Sequence, residues 1–216
     1  MKNILAALLF LATFSCAEKS NIENETSMKY NFLVGSYTDS PEEGIGLLAF
    51  NPEGEEIVYK VIAPGVSNPS FVLESGEFVF SVEENDKGAL KSFSWNEEKT
   101  QLFQIDSIFS KGANPCHISE KDGLLVVSNY SGGNFSIYRL APKGQLEYLQ
   151  SIQHTGKSIN EARQESAHVH SANFSPDGRF LLVADLGTDH IYTYQIDRNS
   201  SEPVSLLSQT AMTPGD

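Results

Sequence analysis

The side chains best suited to acid–base chemistry in this sequence are three histidines, His117, His168 and His170. An imidazole changes its protonation state near neutral pH, so it can take a proton from water there. Asn129 and Arg163 can donate hydrogen bonds to a developing negative charge or to an anionic group. These residues predict a site that activates water, with His170 favoured as the base, His168 as a second catalytic candidate, and the other three as ligand contacts.

Several of these polar residues also have a structural interpretation. A histidine can tie neighbouring segments together, an asparagine before a turn can cap backbone amides, and Arg163 lies in a polar loop that suits a solvated cation. Glu83 and Glu84 are predicted to form a solvated turn, and His154 and His190 are predicted to lie at the periphery.

The spacing of ligand-type residues predicts no metal and no cofactor. The sequence contains no H-E-x-x-H motif, cysteine pair or calcium-loop spacing, and no glycine-rich phosphate loop. His168 and His170 as a zinc pair would lack an obvious third ligand. Cys116 is interpreted as a buried structural residue rather than a nucleophile, because nothing near it in the sequence would lower its pKa.

The elements that must position these residues repeat along the chain. Three units begin at Asn68-Pro69, at Asn114-Pro115, which is 46 residues later, and at Ala167-His168. Runs rich in Val, Phe, Ile and Tyr, separated by Asp-Gly and Gly-Gly turns, predict four antiparallel strands per unit. This pattern predicts an all-β fold, a β-propeller, whose blades have four strands each. A β-sandwich is the alternative, and it explains the threefold repetition poorly.

The propeller is predicted to occupy residues 29–216, with blades at about 30–65, 66–112, 113–165 and 166–216. The first of these blades lacks its innermost strand. The chain therefore carries about 3.7 blades, whereas a closed ring needs roughly four to eight.

Antiparallel connections bring the candidate residues to one rim of the propeller. The segment before the first strand and the segment after the second strand lie at the same end of a blade. The first kind of segment contains His117, Arg163, His168 and His170, and the second contains Glu83, Glu84, Asn129 and Asp185. Such a convergence of titratable groups on a concave surface is typical of a ligand site.

The first residues predict export rather than a part of the fold. After a short basic start, Ile4–Phe14 is an apolar run too short to span a bilayer. Cys16 follows a small residue, as in a bacterial lipoprotein signal, and would be lipidated; a cleaved signal without a lipid is the alternative. We assign residues 1–16 to the signal and 17–28 to a polar tether. The expected location is the cell envelope, in the periplasm or anchored to the outer membrane.

The net charge of −13 excludes some partners. An acidic surface repels nucleic-acid phosphates, so we expect no nucleic-acid partner, and no protein partner is inferred. The charge also disfavours an anionic ligand unless a local cation such as Arg163 offsets it.

The order of three motifs resembles the lactonase family of seven-bladed propellers, which includes bacterial 6-phosphogluconolactonases and fungal carboxymuconate-cyclising enzymes. The motifs are Pro115-Cys116-His117, Ser128-Asn129-Tyr130 with Gly132-Gly133, and His170-Ser171-Ala172-Asn173 with Pro176-Asp177-Gly178. The similarity covers about residues 30 to 216. It implies a carboxylic-ester hydrolase that opens a small-molecule sugar lactone by His-assisted attack of water on the lactone carbonyl.

Two other functions stay open at this point. One is a non-catalytic envelope propeller that binds carbohydrate or protein, and the other is a cycloisomerase-type relative. The family continues with a Gly-x-Gly-Pro-Arg-His motif, whose arginine and histidine lie beyond Pro214-Gly215-Asp216. We therefore expect a gene product of about 350 to 380 residues, by seven repeats of about 50. The 216-residue chain alone is expected to fold poorly and to be inactive.

Overall fold

The computed structural model describes residues 30–215, and every regular element in that range is a β-strand. The first sheet contains β1 (Tyr30–Val34), β2 (Gly44–Asn51) and β3 (Glu56–Pro64). The second contains β4 (Val72–Ser75), β5 (Phe78–Glu83), β6 (Ala89–Trp95) and β7 (Leu102–Phe109). The third contains β8 (Pro115–Lys121), β9 (Leu124–Asn129), β10 (Asn134–Leu140) and β11 (Leu146–Gln153). The fourth contains β12 (Val169–Phe174), β13 (Phe180–Asp185), β14 (His190–Ile196) and β15 (Val204–Ala211).

Consecutive strands within each sheet pair antiparallel in chain order. The described range therefore contains no helix, and so none that could cross a membrane. The predicted signal at 1–16, with Cys16, and the predicted tether at 17–28 lie outside the described residues.

The hydrophobic core lies between successive sheets, because side chains alternate between the two faces of a strand. Strand β9 shows this directly, since it is buried along its whole length. Leu124 and Val126 pack into a cluster with the fourth sheet. Leu125 and Val127 pack into a cluster with the second sheet. A third cluster joins the first and second sheets.

Four sheets packed face to face in this order confirm the prediction of an all-β, propeller-type architecture and exclude the sandwich. The first strands of neighbouring four-stranded sheets contact each other, β4 with β8 and β8 with β12, and so lie nearest the axis. The last strands, β7 and β11, contact each other at the outside. Segments that precede β8 and β12 therefore open onto the central concavity.

The carboxylate of Asp185 joins the third and fourth sheets at this rim. Its side chain is completely buried. Oδ1 accepts hydrogen bonds from the backbone amides of His168 at 2.8 Å, Gly187 at 3.0 Å and Thr188 at 3.2 Å. Oδ2 lies 2.8 Å from Nδ1 of His154, which directly follows β11 of the preceding sheet. Both oxygens of a buried carboxylate are thus satisfied, as burial of a charge requires.

The prediction that His154 lies at the periphery is wrong. The residue does follow an outer strand, but the fourth sheet packs over it and buries the ring. Its Nε2 lies 2.8 Å from the Tyr194 hydroxyl, and its ring centroid lies 4.0 Å from that of Tyr192. His190, at the start of β14, is half-buried and its Nδ1 bonds the Thr188 carbonyl.

The preceding pair of sheets is joined at the equivalent place. Asn129, which like Asp185 ends the second strand of its sheet, donates from Nδ2 to the carbonyl of Ser110 at 3.1 Å. Ser110 and His154 are equivalent, because each follows the last strand of a sheet and donates its amide to the turn before the third strand, at Gly88 and Gly133 respectively. A polar side chain at the end of the second strand therefore fastens the third sheet to the second and the fourth sheet to the third.

We predict that Asp185→Ala lowers the free energy of unfolding by about 3–5 kcal/mol, because it leaves three amides and a buried histidine without their partner. Urea denaturation followed by circular dichroism measures this loss. Asp86→Ala is the matched control, since Asp86 is an exposed carboxylate in a turn of the second sheet, and it should change stability little. Equal losses in the two variants would contradict a special role for Asp185.

Candidate active site

A repeated backbone hydrogen bond defines the rim of the central concavity. The residue that follows the second strand donates its amide to the segment that precedes the first strand. Glu84 donates to Asn68 at 3.0 Å, Tyr130 to Asn114 at 2.9 Å, and Leu186 to His168 at 2.9 Å. Counting two residues on from each acceptor gives three equivalent positions at the rim, which hold Ser70, Cys116 and His170.

Two of these equivalent residues, Cys116 and His170, sit on β-bulges. In the third sheet the register passes from the pair Pro115 and Asn129 directly to His117 and Ser128. In the fourth sheet it passes from Val169 and Asp185 to Ser171 and Ala184. The skipped residue has no partner in the strand pairing, so its side chain does not follow the alternation of the two faces of the strand. Bulges of this kind are common beside active sites.

The bulge separates the two candidate bases, which simple alternation would have placed on one side of the chain. His168 is only 6% exposed, and its ring stacks on Tyr130 at 4.4 Å between centroids. Its Nδ1 lies 3.1 Å from the Tyr130 carbonyl and its Nε2 lies 3.3 Å from Glu165. His170 is exposed, and its ring meets the same tyrosine edge to face at 5.7 Å. His170 therefore has the freer imidazole.

His117 lies beside this pair and is uncharged at neutral pH. Burial lowers its pKa to about 4, and the nearby His170 contributes to the same direction. Its ring packs against Phe71 at 4.7 Å, and its Nδ1 is buried without a protein partner. A neutral imidazole carries one N–H, so His117 can donate one hydrogen bond without adding a positive charge.

Cys116 occupies the middle of the rim as a protonated thiol. Its Sγ lies 3.4 Å from the carbonyl of His170 and 3.7 Å from that of Ser128. Burial, with a further contribution from the negative charge of Glu84, raises the thiol pKa to about 12. Because the thiolate is the nucleophilic form, Cys116 links the two sheets at the rim and does not attack a substrate at neutral pH.

Glu84 lies at this rim, where the strand pattern places it, but its surroundings differ from those predicted. It was expected in a solvated turn, but its carboxylate is half-buried and accepts hydrogen bonds from the Tyr37 hydroxyl at 3.0 Å and from the Ser70 hydroxyl. That hydrogen bond raises the pKa of Tyr37. Glu83, by contrast, forms an ion pair with Lys91 at 2.8 Å. The sequence repeat indicates this position, because Glu84 is equivalent to Tyr130, which lies between His168 and His170.

The two remaining predicted contacts are placed differently. Asn129 is fully buried, with Nδ2 bound to Ser110 and Oδ1 without a protein partner. Arg163 is exposed and lines a hollow of about 180 Å³ with Asn160, Gln164, Leu186 and Gly215. The structure thus brings His168 and His170 together around Tyr130, with His117 near enough to His170 for their charges to interact. Among the described residues, no contact joins Arg163 to any of the three. No group of three or more His, Cys, Asp or Glu residues within 30–215 is arranged to hold a metal ion.

Antiparallel sheets stacked around a polar rim define this protein as a β-propeller. The family model described as "Lactonase, 7-bladed beta-propeller" matches residues 31–216. The chain therefore belongs to the lactonase family of seven-bladed β-propellers.

Three relatives illustrate the similarity. The 6-phosphogluconolactonase of Bacillus subtilis is 28% identical over 174 residues, which cover 78% of this chain and 50% of that protein. A candidate 6-phosphogluconolactonase from Bacteroides fragilis superimposes with a TM-score of 0.79 at 31% identity, covering 88% of this chain and 57% of that one. A periplasmic gluconolactonase from Pseudomonas aeruginosa gives a TM-score of 0.77 at 26% identity, covering 86% and 56%. The chain spans about half the length of the curated relatives it matches.

We predict that His117 titrates near pH 4 in the folded protein, far below an exposed histidine. Because the unfolded chain binds the proton more readily, stability that His117 contributes above pH 6.5 should be lost as the pH falls toward 4. NMR of labelled histidine side chains measures the titration, and His117→Gln should remove this part of the acid sensitivity. A His117 resonance that titrates near pH 6.5 would contradict the assignment.

Proposed function

We propose that the protein is an exported lactonase that opens a sugar-acid lactone, with His170 as general base. Two observations support this function. The chain belongs to the lactonase family, whose relatives include proteins named for 6-phosphogluconolactone and gluconolactone hydrolysis. The rim carries a free imidazole on a bulge beside a neutral one. The proposal depends on the second observation, because His170 can act as the base and neutral His117 can donate a hydrogen bond at the same rim.

The reaction requires few groups. His170 accepts a proton from water as the water oxygen bonds to the lactone carbonyl carbon. The carbonyl oxygen becomes an oxyanion, which the remaining N–H of neutral His117 can stabilise. When the intermediate collapses, the bond between the carbonyl carbon and the ring oxygen breaks, and protonated His170 returns its proton to that oxygen. The product is the open hydroxy acid, and no other reactant is consumed.

The other rim residues position this pair. His168 holds the Tyr130 carbonyl and covers one face of the Tyr130 ring, while His170 meets the ring edge to face. His168 therefore acts as a positioning residue in this proposal rather than as a second base. Asn129, fastened to Ser110, keeps the third sheet in register with the second. Arg163 lines a hollow with Gln164 and Leu186, and this proposal gives it no part in the reaction.

Export is the second part of the proposal. The apolar run Ile4–Phe14 followed by Cys16 supports a lipoprotein signal, and one structural relative is itself described as periplasmic. A protein in the cell envelope would meet lactones outside the cytosol.

We predict that His170→Ala and His170→Asn each lower kcat of the natural full-length protein about 10²–10⁴-fold with little change in Tm, because general-base catalysis contributes that much. Asparagine keeps a hydrogen-bonding group but cannot take the proton. Base titration of the acid released from glucono-1,5-lactone measures the rate. His190→Gln is the control, since the His190 ring bonds the Thr188 carbonyl and lies tilted against Tyr192, and this proposal gives it no part in the reaction. An active Asn variant would contradict the role of His170 as base.

We predict that Cys16→Ser in the native host moves the protein from the membrane fraction to a soluble or uncleaved form, since the thiol is the site of lipid attachment. Metabolic labelling with a palmitate analogue followed by fractionation measures this. Cys116→Ser is the matched control and should keep the label. Loss of the label from the Cys116 variant alone, or its retention in the Cys16 variant, would contradict a lipoprotein.

A further inference from the structure

The carboxylate of Glu84 lies on the same rim as the two histidines, at the second sheet. The repeat makes Ser70, which donates to Glu84, equivalent to Cys116 and His170. The charge of Glu84 also reaches the Cys116 thiol, whose Sγ lies 3.4 Å from the His170 carbonyl. A negative charge is therefore built into the wall of the proposed site.

The hydrogen bonds around Glu84 hold this carboxylate without neutralising it. Its partners are the hydroxyls of Tyr37 and Ser70, and its backbone is tied to Asn68. Within residues 30–215 no lysine or arginine forms an ion pair with it, whereas the adjacent Glu83 is paired with Lys91 at 2.8 Å. Two neighbouring glutamates thus face different surroundings, and only Glu84 keeps an unpaired charge.

The same group is suited to bind sugar hydroxyls. Each carboxylate oxygen accepts one protein hydrogen bond and has a further lone pair for a ligand hydroxyl. Tyr37 is 69% exposed, so its ring offers a flat apolar surface next to the carboxylate. A phosphate or carboxylate group at this place would instead meet a like charge that no lysine or arginine of the described range pairs with, which costs binding energy.

We infer that Glu84 determines specificity: its carboxylate selects uncharged polyhydroxy lactones and disfavours lactones that carry a phosphate. The inference rests on the proposed lactonase function and adds the class of substrate to it. It follows from the placement of one unpaired carboxylate at the rim, independently of where the protein resides in the cell.

The test compares glucono-1,5-lactone with its 6-phosphate in the natural full-length protein and in Glu84→Gln and Glu83→Gln. Both variants remove one negative charge at neighbouring positions, so they match in net charge. We expect wild type to prefer the uncharged lactone in kcat/KM, and Glu84→Gln to reduce that preference about ten-fold, the order of one screened charge–charge contact. Glu83→Gln should leave the preference unchanged. No change in the Glu84 variant, or equal changes in both, would overturn the inference.

Two further measurements separate this inference from the lactonase proposal. The lactams of the same sugar acids, with and without the phosphate, bind without being hydrolysed, and calorimetry gives their affinities in all three proteins. If Glu84 still makes the protein bind the uncharged lactam more tightly than its phosphate, but no lactone is hydrolysed, the lactonase function is refuted and the role of Glu84 in ligand choice is supported. Should Glu84→Gln unfold, the preference of wild type for the uncharged lactone over its phosphate is measured at low and high salt. Salt screens the charge of Glu84, so a ratio of kcat/KM values that stays the same at high salt would overturn the inference.

Discussion

The rest of the candidate site depends on the buried carboxylate of Asp185. One oxygen gathers three backbone amides, including that of His168, and the other holds His154 of the preceding sheet. A buried carboxylate with a partner missing would be strongly destabilising, so the whole arrangement must form together. It fixes where the chain enters β12, and the bulge that presents His170 begins one residue later. The interaction that joins the sheets is thus also the one that places the proposed base.

A single backbone pattern supports different chemistry in each sheet. The rim position holds Ser70, Cys116 and His170 in three successive sheets, and the residue after the second strand is Glu84, Tyr130 or Leu186. In the second sheet the carboxylate of Glu84, bonded to Ser70, makes the rim negative. In the third sheet Cys116 links two sheets, and in the fourth His170 supplies the proposed base. The repeat places these side chains at corresponding positions on the rim, so the residue type at each position determines what the rim can bind. The Glu84 carboxylate, which is bonded to Ser70, and the His170 imidazole suit a polyhydroxy ligand that contacts several sheets.

The strands and their grouping could be predicted from the sequence, because hairpin turns and alternating apolar residues depend on local physics. The bulges could not, since a skipped pair depends on register rather than on residue type. For this reason strand alternation alone would place His168 and His170 on one side, although the first packs on Tyr130 and the second is exposed. His154 was misjudged because its cover comes from a sheet about forty residues away, at Tyr192 and Tyr194. Glu84 and Glu83 are identical in type, and only the three-dimensional contacts distinguish them.

The central claim is that water attacks a lactone between His170 and His117 at this rim. The most direct measurement is a crystal structure of the natural full-length protein with a gluconolactam bound. The account predicts the lactam oxygen within about 3 Å of a His117 ring nitrogen, and a water between His170 and the carbonyl carbon at about 3–3.5 Å from that carbon. A lactam bound in the hollow of Arg163, Asn160 and Gln164, with both histidines free of ligand, would contradict it.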